Sequence, residues 1–134
     1  MNNSDEKEKY YDIWIEDGIV HIIYLYEQFT EEMVDSLIKQ RLELTKDKSY
    51  PMFSDIRKTK SFTREARQRF AQKDAGYGTM VVAILINSKI QEIIYNFFST
   101  VYKAPSPAKM FTDKEKSLKW LKQFKEKYEQ KKIV

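Results

Sequence analysis

The spacing of apolar and polar positions changes several times along the chain, and each change marks an element. Over residues 10–16, "YYDIWIE", Tyr11, Ile13 and Ile15 alternate with Asp12, Trp14 and Glu16. A period of two is that of a half-buried strand. "DG" at 17–18 is a tight-turn signal, and the β-branched and aromatic run "IVHIIYLY" follows it. Residues 10–25 therefore predict a β-hairpin. From Thr30 the period lengthens, with Val34, Leu37, Ile38 and Leu42 at helical spacing. Thr30 suits a helix cap, and Glu31 and Glu32 suit the positive end of the helix dipole. This helix is expected to end near "TKDKS", ahead of a short third strand, "PMFSDI", over 51–56.

A second helix is expected over 62–74, where Phe62, Ala66 and Phe70 are spaced by four, with Gly76 and Gly78 breaking it. "TMVVAILIN" is almost continuously apolar at strand length, the pattern of a central strand covered on both faces. Ser88 is expected to cap a helix whose apolar face carries Ile90, Ile93, Ile94, Phe97, Phe98 and Val101. "APSPAKMFT" reads as a loop and short strand, because its two prolines exclude helix. "TDKE" at 112–115 reads as a capping box, with the Thr112 hydroxyl accepting from the Glu115 N–H. Leu118, Leu121, Phe124 and Tyr128 then form the buried stripe of a last helix.

The predicted order is β-β-α-β-α-β-α-β-α. A hairpin followed by alternating strands and helices implies an α/β fold with a mixed, mostly parallel sheet. A length of 134 residues suits one domain that buries a core without metal or disulfide staples. The expected division is a flexible N-terminus over 1–9, the domain over 10–130 and a tail over 131–134. The chain has no Cys and a single His, His21, which excludes disulfides, thiolate chemistry and a multi-histidine metal site. No metal and no cofactor are expected. His21, flanked by Val20 and Ile22, reads as a strand residue with its polar needs met. The polar, acidic start "MNNSDEKEKYYD" does not resemble a signal peptide, and no run approaches the length of a membrane span. A cytoplasmic location is expected.

The net charge of +4 is unevenly placed. Residues 1–56 carry 6 Lys/Arg against 13 Asp/Glu, a net −7, and residues 57–134 carry 18 against 7, a net +11. Such polarity suits an acidic partner, an anionic membrane or the acidic half of a second copy, and equally suits two helices with solvated basic faces. Nucleic acid is not expected, since the central run "MVVAILI" lacks the exposed aromatics of an RNA-binding sheet.

Four stretches carry a resemblance. "DGIVHIIY", "YPMFSDIR", "VVAILINS" and "AKMFTDKEKSLKWLKQF" resemble the first hairpin, third strand, central strand and final strand and helix of STAS-like domains of the bacterial SpoIIAA-like group. The resemblance spans roughly residues 12–125. It implies a STAS/SpoIIAA-like fold and a regulatory, non-catalytic role, as in antagonists that bind a partner kinase and an anti-sigma factor. Those antagonists are switched by phosphorylation of a Ser in a "DSSG"-like turn where the helix after the third strand begins. This chain has "DIRKTKSFT" there, without Gly or paired small residues. Similar folds in SEC14-type domains bind lipid, so a buried apolar ligand is the alternative function by analogy.

The candidate site is "FSDIRKTKSFTREARQRF", residues 53–70. Asp55, Arg57, Lys58, Ser61, Thr63, Arg64 and Arg67 are its candidate anion- or partner-binding residues, because a helix start with nearby cations accepts an anion. The plainer reading has Ser61 or Thr63 capping the helix, Asp55 paired with a nearby Arg, and the lysines in water. Asp55, at the carboxyl end of an inner strand, is also where α/β sheets gather ligands. A lone carboxylate lacks the partner that general acid–base work needs, so an enzyme centred on it is the weakest reading. The carrier reading places a pocket between the sheet and helix 88–102, walled by Ile94, Phe97, Phe98 and Tyr102. The lysines of the last helix read as a solvated outer face, though their number also suits a membrane surface. A protein partner, with homodimerisation, is the expected mode of action.

Overall fold

The hairpin closes as its Asp–Gly pair dictates. In the computed structural model, which describes residues 9–87 and 106–133 with side chains to 127, Asp17 and Gly18 have φ of 53° and 73°. Two consecutive left-handed residues are what a type I′ turn requires. The turn joins β1 (Tyr11–Glu16) to β2 (Ile19–Tyr24), which pair antiparallel with Trp14 opposite His21.

After β2 come β3 (Gln28–Phe29), α1 (Glu31–Thr45), β4 (Tyr50–Asp55), β5 (Ser61–Phe62) and α2 (Arg64–Phe70). A 3₁₀ turn (Lys73–Gly76), β6 (Thr79–Leu85), β7 (Ala108–Phe111) and α3 (Lys114–Ile133) complete the described chain. Five strands form one sheet in the order β1-β2-β4-β6-β7, in which every pair after the hairpin is parallel. The fold is the α/β architecture with a mixed, mostly parallel sheet that the sequence predicts. The helix expected over 88–102 lies outside the described residues.

The alternation of side chains along β2, β4 and β6 divides the core into two layers. Val20, Ile22, Tyr24, Met52, Ile84 and Ile86 face α1, whose Val34, Leu37 and Ile38 bury against them together with Ala66 of α2. Ile19, Phe53, Val81, Ala83 and Leu85 face the other way, onto Leu121 of α3. With both faces covered, the apolar continuity of "VVAIL" is explained.

Three local expectations differ from the structure. The second helix starts at Arg64 rather than residue 62, and a separate 3₁₀ turn follows its end at Phe70. Phe62 belongs instead to β5, paired in parallel with β3 through Phe29↔Phe62, and it meets Phe70 edge-on at 5.9 Å. The three residues expected on one helical stripe therefore pack together without all being helical. At α3 the cap is one residue later than expected: the Asp113 carboxylate, not the Thr112 hydroxyl, accepts from the Lys116 N–H at 3.0 Å. At α1, Thr30 is the N-cap by backbone conformation, but its hydroxyl makes no capping bond.

Arg69 ties α2 to α1. Its guanidinium forms a fork on Asp74 (2.8 and 2.9 Å) and reaches Asp35 at 3.1 Å. Arg69 holds the Asp74 carboxyl below its ordinary value of 3.8. Asp35 is lowered first by Lys39 and then by Arg69. Both acids bind fewer protons folded than unfolded. Their stabilisation is thus complete above the unfolded-state value and drains as pH falls through 3.8 toward the lower folded values. Both are partly exposed, so solvent discounts the effect. Arg69→Met is expected to flatten the loss of stability below about pH 5. Urea midpoints at neutral and acid pH test this; identical acid slopes in the two proteins would reject it.

Candidate functional site

The site residues gather where β4 leaves the sheet. Asp55 is the last residue of an inner strand flanked by β2 and β6, and only 6% of it is exposed. A buried carboxylate in such a place must be paired. Arg57 pairs it from two residues on: Nε donates to Oδ1 at 3.0 Å, Nη2 to Oδ2 at 2.7 Å, and the Arg57 backbone N–H to Oδ1 at 3.1 Å. The bidentate fork raises the Arg57 pKa further above its already high value. It also occupies both oxygens of Asp55, so the arrangement is a clamp rather than a poised base. The Arg57 side chain remains 49% exposed, and its carbonyl accepts from Asn87 Nδ2, past the end of β6, at 3.3 Å.

The loop from 56 to 63 is pinned, although it carries no regular structure at its start. Thr59 is buried, and its hydroxyl donates to the Tyr26 carbonyl at 2.9 Å. The N–H groups of Lys60 and Ser61 both donate to the Glu27 carbonyl, and that of Thr63 to the Phe29 carbonyl. Beneath them Phe29 packs against Tyr24 at 4.7 Å and Phe62 at 5.9 Å between ring centroids. The loop thus holds Lys58 outward on a fixed backbone, and Arg64 opens α2 just beyond it; both are exposed, and neither makes an ion pair among the described residues. Lys60 faces Glu27 at 3.4 Å, with both side chains 76% exposed.

The remaining expected site residues have other tasks. The Thr63 hydroxyl accepts from the Ala66 N–H at 3.1 Å and caps α2. Arg67 donates to the Phe62 carbonyl at 2.8 Å, folding back on its own helix start. Ser61 lies in β5, half-buried beside Gln28, and not at a helix start. With only seven residues in α2 and its start capped from within, an anion at that helix end is not what this geometry offers. Ile94, Phe97, Phe98 and Tyr102, the expected pocket wall, lie outside the described residues.

His21 is buried, with Trp14 stacked on it at 5.1 Å and the Phe53 ring edge-on at 5.6 Å. Desolvation lowers its pKa, outweighing the acids and the Glu16 carbonyl near it. Sequence reasoning missed two buried arginines. One is Arg69, described above; the other is Arg41 of α1, which donates to the Tyr77 carbonyl at 2.9 Å and whose burial lowers its pKa. Near Arg41, burial pushes the Tyr24 phenol up to about 12. Asp35 and Asp74 stand 34 and 5 residues from Arg69 in sequence, and only the more local spacing was available as a signal. Among the described residues no group of acids and histidine is arranged to hold a metal ion, and no helix is long and apolar enough to cross a membrane.

Comparison with known proteins agrees with this architecture. A solved structure of an uncharacterised DUF3478-family protein with a SpoIIAA-like fold, from Shewanella loihica PV-4, superposes with a TM-score of 0.59. The match covers 83% of this chain and 91% of that one at 19% identity, which establishes the fold. No curated protein matches. The strand order, the two-layer core and the SpoIIAA-like neighbour describe one fold, and a family model covers residues 13–125 of it, so the chain belongs to the family described as Domain of unknown function DUF7793.

Proposed function

We propose that this protein is a non-catalytic interaction module that docks an acidic segment of a partner protein on the corner formed by residues 57–64. One observation carries the reading: Lys58, on a loop held by backbone bonds to the 27–29 segment, and Arg64, the first residue of α2 that follows it, stand exposed without ion pairs among the described residues, beside a clamped Arg57. A fixed backbone presenting unpaired cations loses little order when it binds an acidic chain. Charge complementarity of this kind sets encounter rate and specificity. The regulatory role that the SpoIIAA-like resemblance implies is consistent with such docking. Its phosphoserine switch is not carried over, because Ser61 sits in a strand and the Thr63 hydroxyl is engaged as a cap. The engagement of both Asp55 oxygens by Arg57 favours a structural role for this carboxylate over general-base chemistry.

Lys58→Glu combined with Arg64→Glu tests the reading. Both side chains are exposed, so the circular dichroism spectrum and melting curve should stay close to wild type. Capture of a partner by crosslinking from the cells that make the protein should fall by about tenfold or more, and the wild-type complex should weaken with salt. A partner held equally by the double variant would overturn the assignment of this corner.

A further inference from the structure

A second surface, on the opposite layer, carries a different signal. β7 is an edge strand, and α3 covers the sheet face over β4 and β6 and meets β7 through Phe111 and Trp120. Phe111 of β7, Trp120 and Phe124 of α3 form a ladder with ring centroids 5.5 and 5.9 Å apart. All three rings are only partly buried. The exposed Lys109 sets its Nζ 5.4 Å from the Phe111 ring and 5.8 Å from the Trp120 ring. Along α3, Lys116, Trp120, Phe124 and Lys127 follow at spacings of four, four and three, which places them on one flank. Lys116 and Lys127 are exposed. The acids Glu115 and Glu126 fall about 120–140° away around the axis from Trp120. Among the described residues only Asp113, held as the cap of α3, is an acid on the Trp120 side, so the flank beside β7 is aromatic, with more cations than acids.

We infer that this β7–α3 flank is a docking surface for a membrane of anionic phospholipid. Partly buried Trp and Phe rings flanked by lysines match the two layers of a bilayer interface: the rings suit headgroup depth, and the ammonium groups meet anionic headgroups. The stripe from Lys116 to Lys127 is roughly 16 Å long, a line of contact along a helix flank. A second copy adding a strand to β7 is disfavoured by Lys109, a charged side chain in the middle of a four-residue edge strand.

Vesicle sedimentation of the full-length chain tests the inference. Wild type is expected to pellet with vesicles of phosphatidylcholine mixed with phosphatidylserine at about 0.1 M salt, and to be released as salt rises several-fold. It should not pellet with phosphatidylcholine alone. Lys116→Glu with Lys127→Glu is expected to reduce partitioning by about tenfold or more, whereas the equally charged control Lys48→Glu with Lys73→Glu should keep most of it. In a Trp14→Phe background, Trp120 emission should shift to the blue on binding. Absence of binding to the anionic vesicles, or equal loss in the two double variants, would overturn the inference. So would lipid-free, concentration-dependent association that Lys116→Glu with Lys127→Glu abolishes, since the surface would then serve a second copy.

Discussion

Phe29→Ala is expected to remove about 3–5 kcal/mol of stability and to release the candidate corner before the rest of the fold. Phe29 is fully buried, yet it lies in a strand of only two residues. Its ring fills the space under the loop, against Tyr24 and Phe62, and Phe62 in turn meets Phe70 of α2. Without it, the short β3–β5 pairing has no apolar support, and its backbone bonds are too few to persist alone. Hydrogen exchange should therefore show loss of protection first at the amides of Lys60, Ser61 and Thr63, which donate to Glu27 and Phe29. Amides of β2 and β4 should lose protection only as global stability falls. A uniform loss across both groups would reject the idea that Phe29 anchors this corner. If the corner binds a partner, the same variant should weaken binding through disorder while leaving every cation in place.

Phe53→Ala is expected to cost a similar amount, about 3–5 kcal/mol, but globally. Phe53 is 1% exposed at the middle of β4, in register with His21 of β2 and Ala83 of β6. It belongs to the layer that meets α3, and Lys114 places its Nζ 5.9 Å from the ring centroid. Truncation opens a cavity between the sheet and α3 that neighbouring strands cannot close without breaking their ladders. The melting temperature should fall by roughly 10–20 °C for a domain of this size. The urea midpoint should fall with an unchanged slope, since the same surface is still exposed on unfolding. Phe53→Leu should retain most of the stability, with a loss below about 1.5 kcal/mol. A full-sized loss in the Leu variant would mean that ring contacts, and not filled volume, hold this layer together.

The two substitutions differ in how much of their setting is visible in the sequence. Phe53 stands in a run of apolar residues at strand length, and its burial follows from that run. Phe29 stands between polar residues, and nothing local marks β3 or its partner β5. The two segments are joined by a parallel pairing across α1 and β4, a long-range contact that no spacing rule anticipates. The same limit explains the helix boundary at 62. Phe62, Ala66 and Phe70 carry helical spacing, yet pairing with Phe29 takes Phe62 out of the helix. Arg67 is similar: read as an outward cation, it turns back to the Phe62 carbonyl that this pairing positions.

Local chemistry alone settled the elements whose signals lie within a few residues. The Asp17–Gly18 turn, the alternation in β1, the apolar run of β6 and the stripe of α3 rest on backbone preference and hydrophobic period, and these act over short stretches. So did the placement of Asp55 at a strand end. The tertiary structure decided which groups meet. It clamped Asp55 with Arg57, buried Arg69 between Asp35 and Asp74, and left Lys58 and Arg64 without ion pairs among the described residues. It also brought Lys109 of β7 onto Trp120 of α3. Pairing of polar groups depends on distances across the fold, because a charge is satisfied by whatever partner packing brings within reach, and one-dimensional spacing does not encode that distance.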